Sequence, residues 1–220
     1  MRNFFQETMN HSNQSISIRK SLAQAWDIYR ASMWFYTKIV LTFFIAWIIL
    51  ELVVYLAQDL GQVFNLAVHL LFLVIFAGLQ VGFIRICLDA NAGYTPHYSH
   101  LFEHLKQGSK FLVAQLAYVI LVLMGLVFLL IPGVYFGTCH AFYGFILAEN
   151  EFGIIESFYA SANLTRGVTG KLFGYFLLLT LLNFFGAMWL GLGLLVTIPV
   201  SVLTMASFYR DLKSSLLSSK

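Results

Sequence analysis

The chain has 220 residues, of which 60% are hydrophobic and 10% charged, with a formal net charge of +3 and a mean hydropathy of +0.80. Soluble domains carry about 25% charged residues, so this balance excludes a soluble globular protein. The Lys and Arg residues are scattered rather than clustered, which excludes a nucleic-acid-binding arm.

Residues 1–14 are polar and are expected to form a disordered N-terminal tail. Residues 1–36 have no apolar core of the kind that precedes a cleavage site, so no cleavable signal peptide is expected. From Ser17 a helical period appears. Ile18, Leu22, Ala25, Trp26, Tyr29, Met33 and Tyr36 recur every three or four residues, with Arg19, Lys20, Gln24, Asp27 and Arg30 opposite them. This pattern predicts an interfacial helix over 17–36 whose Arg19, Lys20, Arg30 and Trp26 meet lipid headgroups. Two apolar spans follow, at 39–56 and 63–86.

After a loop at Asp89–Tyr94, Thr95-Pro96 reads as an N-cap followed by proline at the first helical position. It predicts a second interfacial helix over 96–107, carrying Lys106. The next stretch holds no formal charge between Lys110 and Glu149 and breaks once, at Ile131-Pro132-Gly133. From Lys110 to Ala148 there are 39 residues. As helix that is roughly 58 Å, close to two crossings of a hydrocarbon layer about 30 Å thick. Spans are therefore predicted at 111–131 and 133–148. A continuous apolar run favours helices over the alternating strands of a barrel. A third interfacial helix is predicted over 151–166, with Ile154, Ile155, Phe158 and Ala162 on its apolar face and Arg166 near its end. Spans at 172–190 and 192–209 and a tail at 210–220 complete the chain.

The thirteen Lys and Arg residues fall before the first span, between the second and third, between the fourth and fifth, and after the sixth. The alternate turns carry none. By the positive-inside rule this predicts six spans with both termini cytoplasmic. The fold expectation is thus an all-α integral membrane protein of six transmembrane helices. They are arranged as three repeats, each an interfacial helix followed by a two-span hairpin. Gly82-Phe83-Ile84 recurs as Gly144-Phe145-Ile146, and Leu105-Lys106-Gln107-Gly108 resembles Leu164-Thr165-Arg166-Gly167. Gly78-x-x-x-Gly82, Gly133-x-x-x-Gly137 and Gly170-x-x-x-Gly174 read as faces for close helix packing.

Several short motifs occur in order: Gly82-Phe83-Ile84-Arg85, Ile131-Pro132-Gly133, Ile146-Leu147-Ala148-Glu149, Ser161 to Gly167, and Ile198-Pro199 ahead of Phe208-Tyr209. In these the chain resembles the YciC-like family of bacterial inner-membrane proteins. It is also similar to the membrane domain fused to some glycerophosphodiester phosphodiesterases. The resemblance covers roughly Gly82 to Tyr209 and implies a location in the bacterial cytoplasmic membrane. It carries no catalytic residue over to this chain.

Ionisable and amide side chains within spans are costly and mark candidate sites. Glu51 lies roughly 20 Å along the first span from Lys38, and His69 roughly 24 Å along the second from Arg85. The two are placed at similar depth, within reach of one another. With His140 and Asn183 they make a candidate intramembrane polar site, and Gln80 and Gln115 are further candidates for a polar cavity. His97, His100 and His104 share a stripe of the predicted 96–107 helix. They are a weak candidate metal site that lacks a completing Cys or carboxylate. Cys87 and Cys139 read as free packing thiols. No P-loop, G-x-S-x-G or H-E-x-x-H motif is present. No cofactor and no enzymatic activity are expected. The partners expected are membrane lipids, and other membrane proteins or a second copy of the chain. The favoured expectation is a protein that binds or organises membrane lipid or partner membrane proteins. The alternative is a small transporter or channel with a path through Glu51, His69, His140 and Asn183.

Overall fold

The computed structural model describes residues 18–128, 130–149, 152–188 and 191–217. The tail at 1–14, Ser17, the expected start of the third interfacial helix at Asn150-Glu151, residue 190 and residues 218–220 lie outside the described residues. Every regular element among the described residues is helical. In order these are α1 (Ile18–Ala31), α2 (Met33–Leu56), α3 (Gln62–Asn91), a single turn α4 (His100–Glu103) and α5 (Gly108–Phe128). Then follow α6 (Leu130–Cys139), α7 (Tyr143–Ala148), α8 (Ile154–Leu164), α9 (Thr169–Met188) and α10 (Leu194–Leu217).

Five stretches are long and apolar enough to cross a membrane: Met33–Leu56, Gln62–Asn91, His100–Val127, Ile131–Ala148 and Thr169–Met188. Large apolar side chains stand free on these helices, with Val63 84%, Val127 85% and Ile131 80% exposed. Such a surface is untenable in water and ordinary in lipid. The chain is accordingly read as an all-helical, multi-pass membrane protein.

The sixth expected span, 192–209, falls in α10, which is not one of those five. α10 carries Thr197, Pro199, Ser201, Thr204 and Ser207, with Arg210, Asp211 and Lys213 at its end. Its polarity is tolerated because protein surrounds it. It packs on α1, α2, α3 and α9, and Val200, Leu203, Thr204, Ala206, Phe208 and Leu212 are all buried. The least apolar long helix is thus the one the others enclose. The buried core gathers around the second half of α10. Tyr29 and Tyr36 join it from one side, and Ile86 and Cys87 from α3. On the other side Phe208 lies between Phe142 and Tyr175, at ring distances of 6.2 and 4.9 Å.

The helices depart from the expected boundaries in ways that have physical causes. The first amphipathic helix ends at Ala31, where Ser32 breaks it (φ −143°, ψ 45°), and residues 33–36 belong to α2. Its buried face is Ser21, Ala25 and Tyr29, and α10 covers that face, whereas Trp26 is 43% and Met33 49% exposed. The expected helix over 96–107 is two short turns, His100–Glu103 and Leu105–Gln107, parted at His104. This segment presses on α3 so closely that only glycine fits there. A Cβ on Gly82 would sit 2.3 Å from the Leu101 carbonyl oxygen, and one on Gly78 would sit 2.8 Å from Leu105 Cα. By contrast, Gly170 and Gly174 meet nothing within 4 Å.

Two hairpins close on glycine pairs. Gly125 faces Gly133 between α5 and α6, and Gly186 faces Gly193 between α9 and α10, each too close for a side chain. Pro132 sits in the first turn of α6, where a missing N–H removes no helical bond.

The stretch 133–148 is broken in the middle. α6 ends at Cys139 and α7 begins at Tyr143. The break strands the Phe142 N–H and the Cys139 carbonyl, and α8 supplies their partners. Phe142 N–H donates to Ser161 Oγ (3.1 Å), while Ser161 Oγ and Thr165 Oγ1 each donate to the Cys139 carbonyl (3.0 Å). α8 is itself started by Glu156, whose Oε2 accepts the Gly153 N–H at 2.7 Å. Its buried face is Ser157, Ser161 and Leu164, continued by Thr165, and Ile155 is 71% exposed. Of the expected apolar face, Ile154 and Phe158 are half-buried against a second core cluster, so the polar edge is the more deeply buried one.

Candidate functional site

No described hydrogen bond or ion pair joins the four residues of the expected intramembrane polar site to one another. Glu51 and His69 are both exposed, and neither is an ion-pair or hydrogen-bond partner of the other among the described residues. His69 Nδ1 instead bonds the Asn65 carbonyl one turn back at 2.8 Å. His140 lies at the α6–α7 break, bonded to the Phe136 carbonyl at 2.9 Å, with its ring 5.6 Å from that of Phe158. Asn183 joins α9 to α10. Its Nδ2 donates to Ser201 Oγ and to the Leu179 carbonyl, each at 2.8 Å, and its Oδ1 is buried without a partner. No described hydrogen bond links any two of the four.

The histidine stripe is dispersed for a geometric reason. Positions i, i+3 and i+7 align only on an unbroken helix, and this one is parted at His104. His97 and His100 rings lie 5.5 Å apart, but His104 turns to Gln107 at 3.1 Å. Among the described residues no three His, Cys, Asp or Glu side chains stand close enough to hold a metal ion. Arg19, Lys20, Trp26, Arg30, Lys106 and Arg166 are all exposed. Cys87 and Cys139 are buried free thiols.

The concave site that the fold does build was not among the expected ones. It is a groove of about 580 Å³ between α2, α3 and the first half of α10. Its floor is Val40 and Phe83, 2% and 6% exposed, and its walls include Phe43, Trp47 and Phe76. These rings support one another: Phe43 meets Phe76 edge-on at 5.1 Å and Phe83 at 6.2 Å. Ile198 and Val202 of α10 close the far side. The volume lies within the roughly 300–1,000 Å³ of small-molecule sites. Gln80 is the one amide in the lining. It therefore contributes a lone polar handle in an apolar groove, rather than one wall of a polar cavity. The rest of the lining reads as packing in sequence, because groove-lining and core aromatics are chemically alike.

No known family model matches the chain, and neither a curated protein nor a solved structure is significantly similar to it. The site therefore speaks through its own chemistry. An apolar groove on membrane-spanning helices offers dispersion contacts along its length and one hydrogen-bonding amide. Among the described residues that line it there is no Ser, Thr, Cys, Asp, Glu, Lys or His.

A second, polar region lies at the ends of α3, α7 and α10. Arg85 Nε stands 3.6 Å from Asp89 Oδ1. Glu149 Oε2 accepts from Lys213 Nζ at 2.6 Å and from the Tyr209 hydroxyl at 2.7 Å. Asn91 Nδ2 donates to the Leu203 carbonyl at 3.2 Å, tying α3 to α10, and Ser207 donates to Gln24 Oε1 on α1 at 3.2 Å. Desolvation raises the Asp211 carboxyl above the usual carboxylate range, with Lys20 and Arg210 opposing the rise.

Proposed function

We propose that the protein binds membrane lipid, with an acyl chain lying in the groove between α2, α3 and α10. The groove itself is the observation that carries this reading. A cleft in a membrane-spanning bundle is filled either by side chains or by lipid, and this one leaves about 580 Å³ unfilled. Its aromatic and aliphatic lining suits a hydrocarbon chain, and the Gln80 amide suits an ester oxygen. The role is non-enzymatic in this reading, and lipid is the primary partner. Other membrane proteins or a second copy are further partners.

The reading includes six spans with both termini cytoplasmic, in the bacterial inner membrane, and a relationship to the YciC-like family. Placement of all thirteen Lys and Arg residues in alternate segments supports the orientation. The matching glycine closures at Gly125–Gly133 and Gly186–Gly193 support a shared plan for the second and third hairpins. The transport reading has less to build on, because no described hydrogen bond or ion pair joins Glu51, His69, His140 and Asn183 to one another.

The test is native mass spectrometry of the full chain released from its own membranes, comparing wild type with Val202→Trp. The bulky ring enters the groove from α10. Wild type should retain phospholipid, and the variant should retain at least fivefold less at unchanged helix content. Equal retention by the two proteins sinks the proposal.

A further inference from the structure

A cavity of about 350 Å³ opens at the ends of α3, α7 and α10. Arg85, Asp89, Glu149, Arg210, Lys213 and Ser214 are among its lining residues. A smaller cavity of about 190 Å³ lies on the α1 side and shares Arg210 and Ser214 with it. Arg210 is thus the wall between two polar spaces.

The cations here are not equivalent. Arg85 pairs with Asp89, and Lys213 with Glu149. Arg210 has no carboxylate within 4.0 Å among the described residues. Its Nη1 makes one long bond, 3.5 Å, to the Leu88 carbonyl at the end of α3. A guanidinium has five N–H donors in a rigid fork, and the described hydrogen bonds use one of them; the neighbouring Asp211 carboxylate, which also lines the smaller cavity, attracts it from beyond ion-pair distance. Arg210 is half-buried. Its charge is therefore less completely relieved by water than that of an exposed side chain.

We propose that Arg210, flanked by Arg85 and Lys213, holds a phosphate group in this cavity. A forked guanidinium matches a phosphate with two parallel N–H···O bonds. Arg85 approaches from α3, and Lys213 lies one turn beyond Arg210 on α10. A tetrahedral oxyanion offers oxygens toward all three, whereas a planar carboxylate is satisfied by one fork. The phosphate comes either from a lipid headgroup or from a free phosphate or phosphate ester. The cavity shares no lining residue with the apolar groove, so this inference goes beyond the acyl-chain reading and does not rest on it.

The experiment titrates the full chain, in nanodiscs of phosphatidylcholine, with inorganic phosphate and separately with dihexanoyl phosphatidylglycerol. Wild type, Arg210→Gln, Arg210→Lys, Arg85→Gln and Val202→Trp are compared by calorimetry, with helix content and melting checked for each. The expected result is binding to wild type that weakens at least tenfold in Arg210→Gln and partly recovers in Arg210→Lys. Arg85→Gln should weaken binding several-fold while leaving the α3–α10 contact at Leu88 intact, so it reports on the site even where Arg210→Gln misfolds. Val202→Trp should bind inorganic phosphate as wild type does, which separates this site from the groove. Binding of inorganic phosphate assigns a free source, and binding of the short-chain lipid alone assigns the headgroup. Binding of neither probe to wild type, or equal affinity in the folded arginine variants, overturns the proposal.

Discussion

Replacing Ser161 with alanine removes the only described partner of the Phe142 N–H, a group that is fully buried. The Cys139 carbonyl keeps its second donor, Thr165. The cost is therefore that of one orphaned backbone donor, about 1–3 kcal/mol. An ordinary interhelical side-chain bond in a membrane protein contributes about 0.6 kcal/mol. The two cases are separable. Thr165→Val keeps the shape and leaves Ser161 on the carbonyl, so it should cost less than about 1 kcal/mol. The double variant strips the carbonyl of both donors. Its cost should exceed the sum of the single variants by about 1 kcal/mol, as expected for side chains sharing one partner. The assay is reversible unfolding in mixed micelles, followed by circular dichroism, with Ser157→Ala as a reference. Ser157 is equally buried but bonds only within its own helix, to the Ile154 carbonyl. A Ser161→Ala cost at or below that of Ser157→Ala, or strict additivity in the double variant, refutes the account of the break.

Three further outcomes are expected. Gly82→Ala puts a Cβ 2.3 Å from the Leu101 carbonyl oxygen, and backbone atoms cannot yield cheaply. This variant should lose most folded protein in a detergent-extraction assay. Gly174→Ala meets nothing within 4 Å and should be neutral or stabilising by about 0.5–1 kcal/mol through lost chain entropy. For Asp211, a carboxyl whose folded value is raised disfavours the folded state once ionised. That penalty is absent in acid, grows as pH rises through the unfolded and then the folded value, and is complete above the folded value. Asp211→Asn should therefore melt above wild type at neutral pH and with it in acid, and a wild-type advantage at neutral pH would contradict the sign.

Much of the helical layout is legible in the charge pattern, because each uncharged run must satisfy its backbone internally. The spans expected at 39–56 and 172–190 correspond to the helices Met33–Leu56 and Thr169–Met188, with ends displaced by a few residues. What misled the sequence reading was the sense of amphipathicity. For α8 an interfacial helix was expected, with Ile154, Ile155, Phe158 and Ala162 as its apolar face. In lipid the polar positions turn inward, and Ser157, Ser161 and Thr165 are fully buried. Their spacing of four is a signal that the sequence carries. The same inversion hides the central place of α10. The groove was not legible at all, since no pattern distinguishes an aromatic that fills space from one that borders it. Nor was the lack of a bond between Glu51 and His69, because equal depth on neighbouring helices does not fix which way each side chain turns.

The interrupted stretch Ile131–Ala148 has a consequence for biogenesis. It is the least hydrophobic of the five membrane-length stretches, with a mean hydropathy of 1.2, and the most enclosed, with 56% of it buried. Its stranded peptide groups are met only by side chains encoded downstream, at Ser161 and Thr165. Until α8 has been synthesised, the Phe142 N–H and the Cys139 carbonyl lack the partners they have in the finished fold. The broken form of this stretch is thus completed only after the segment that follows it in the chain.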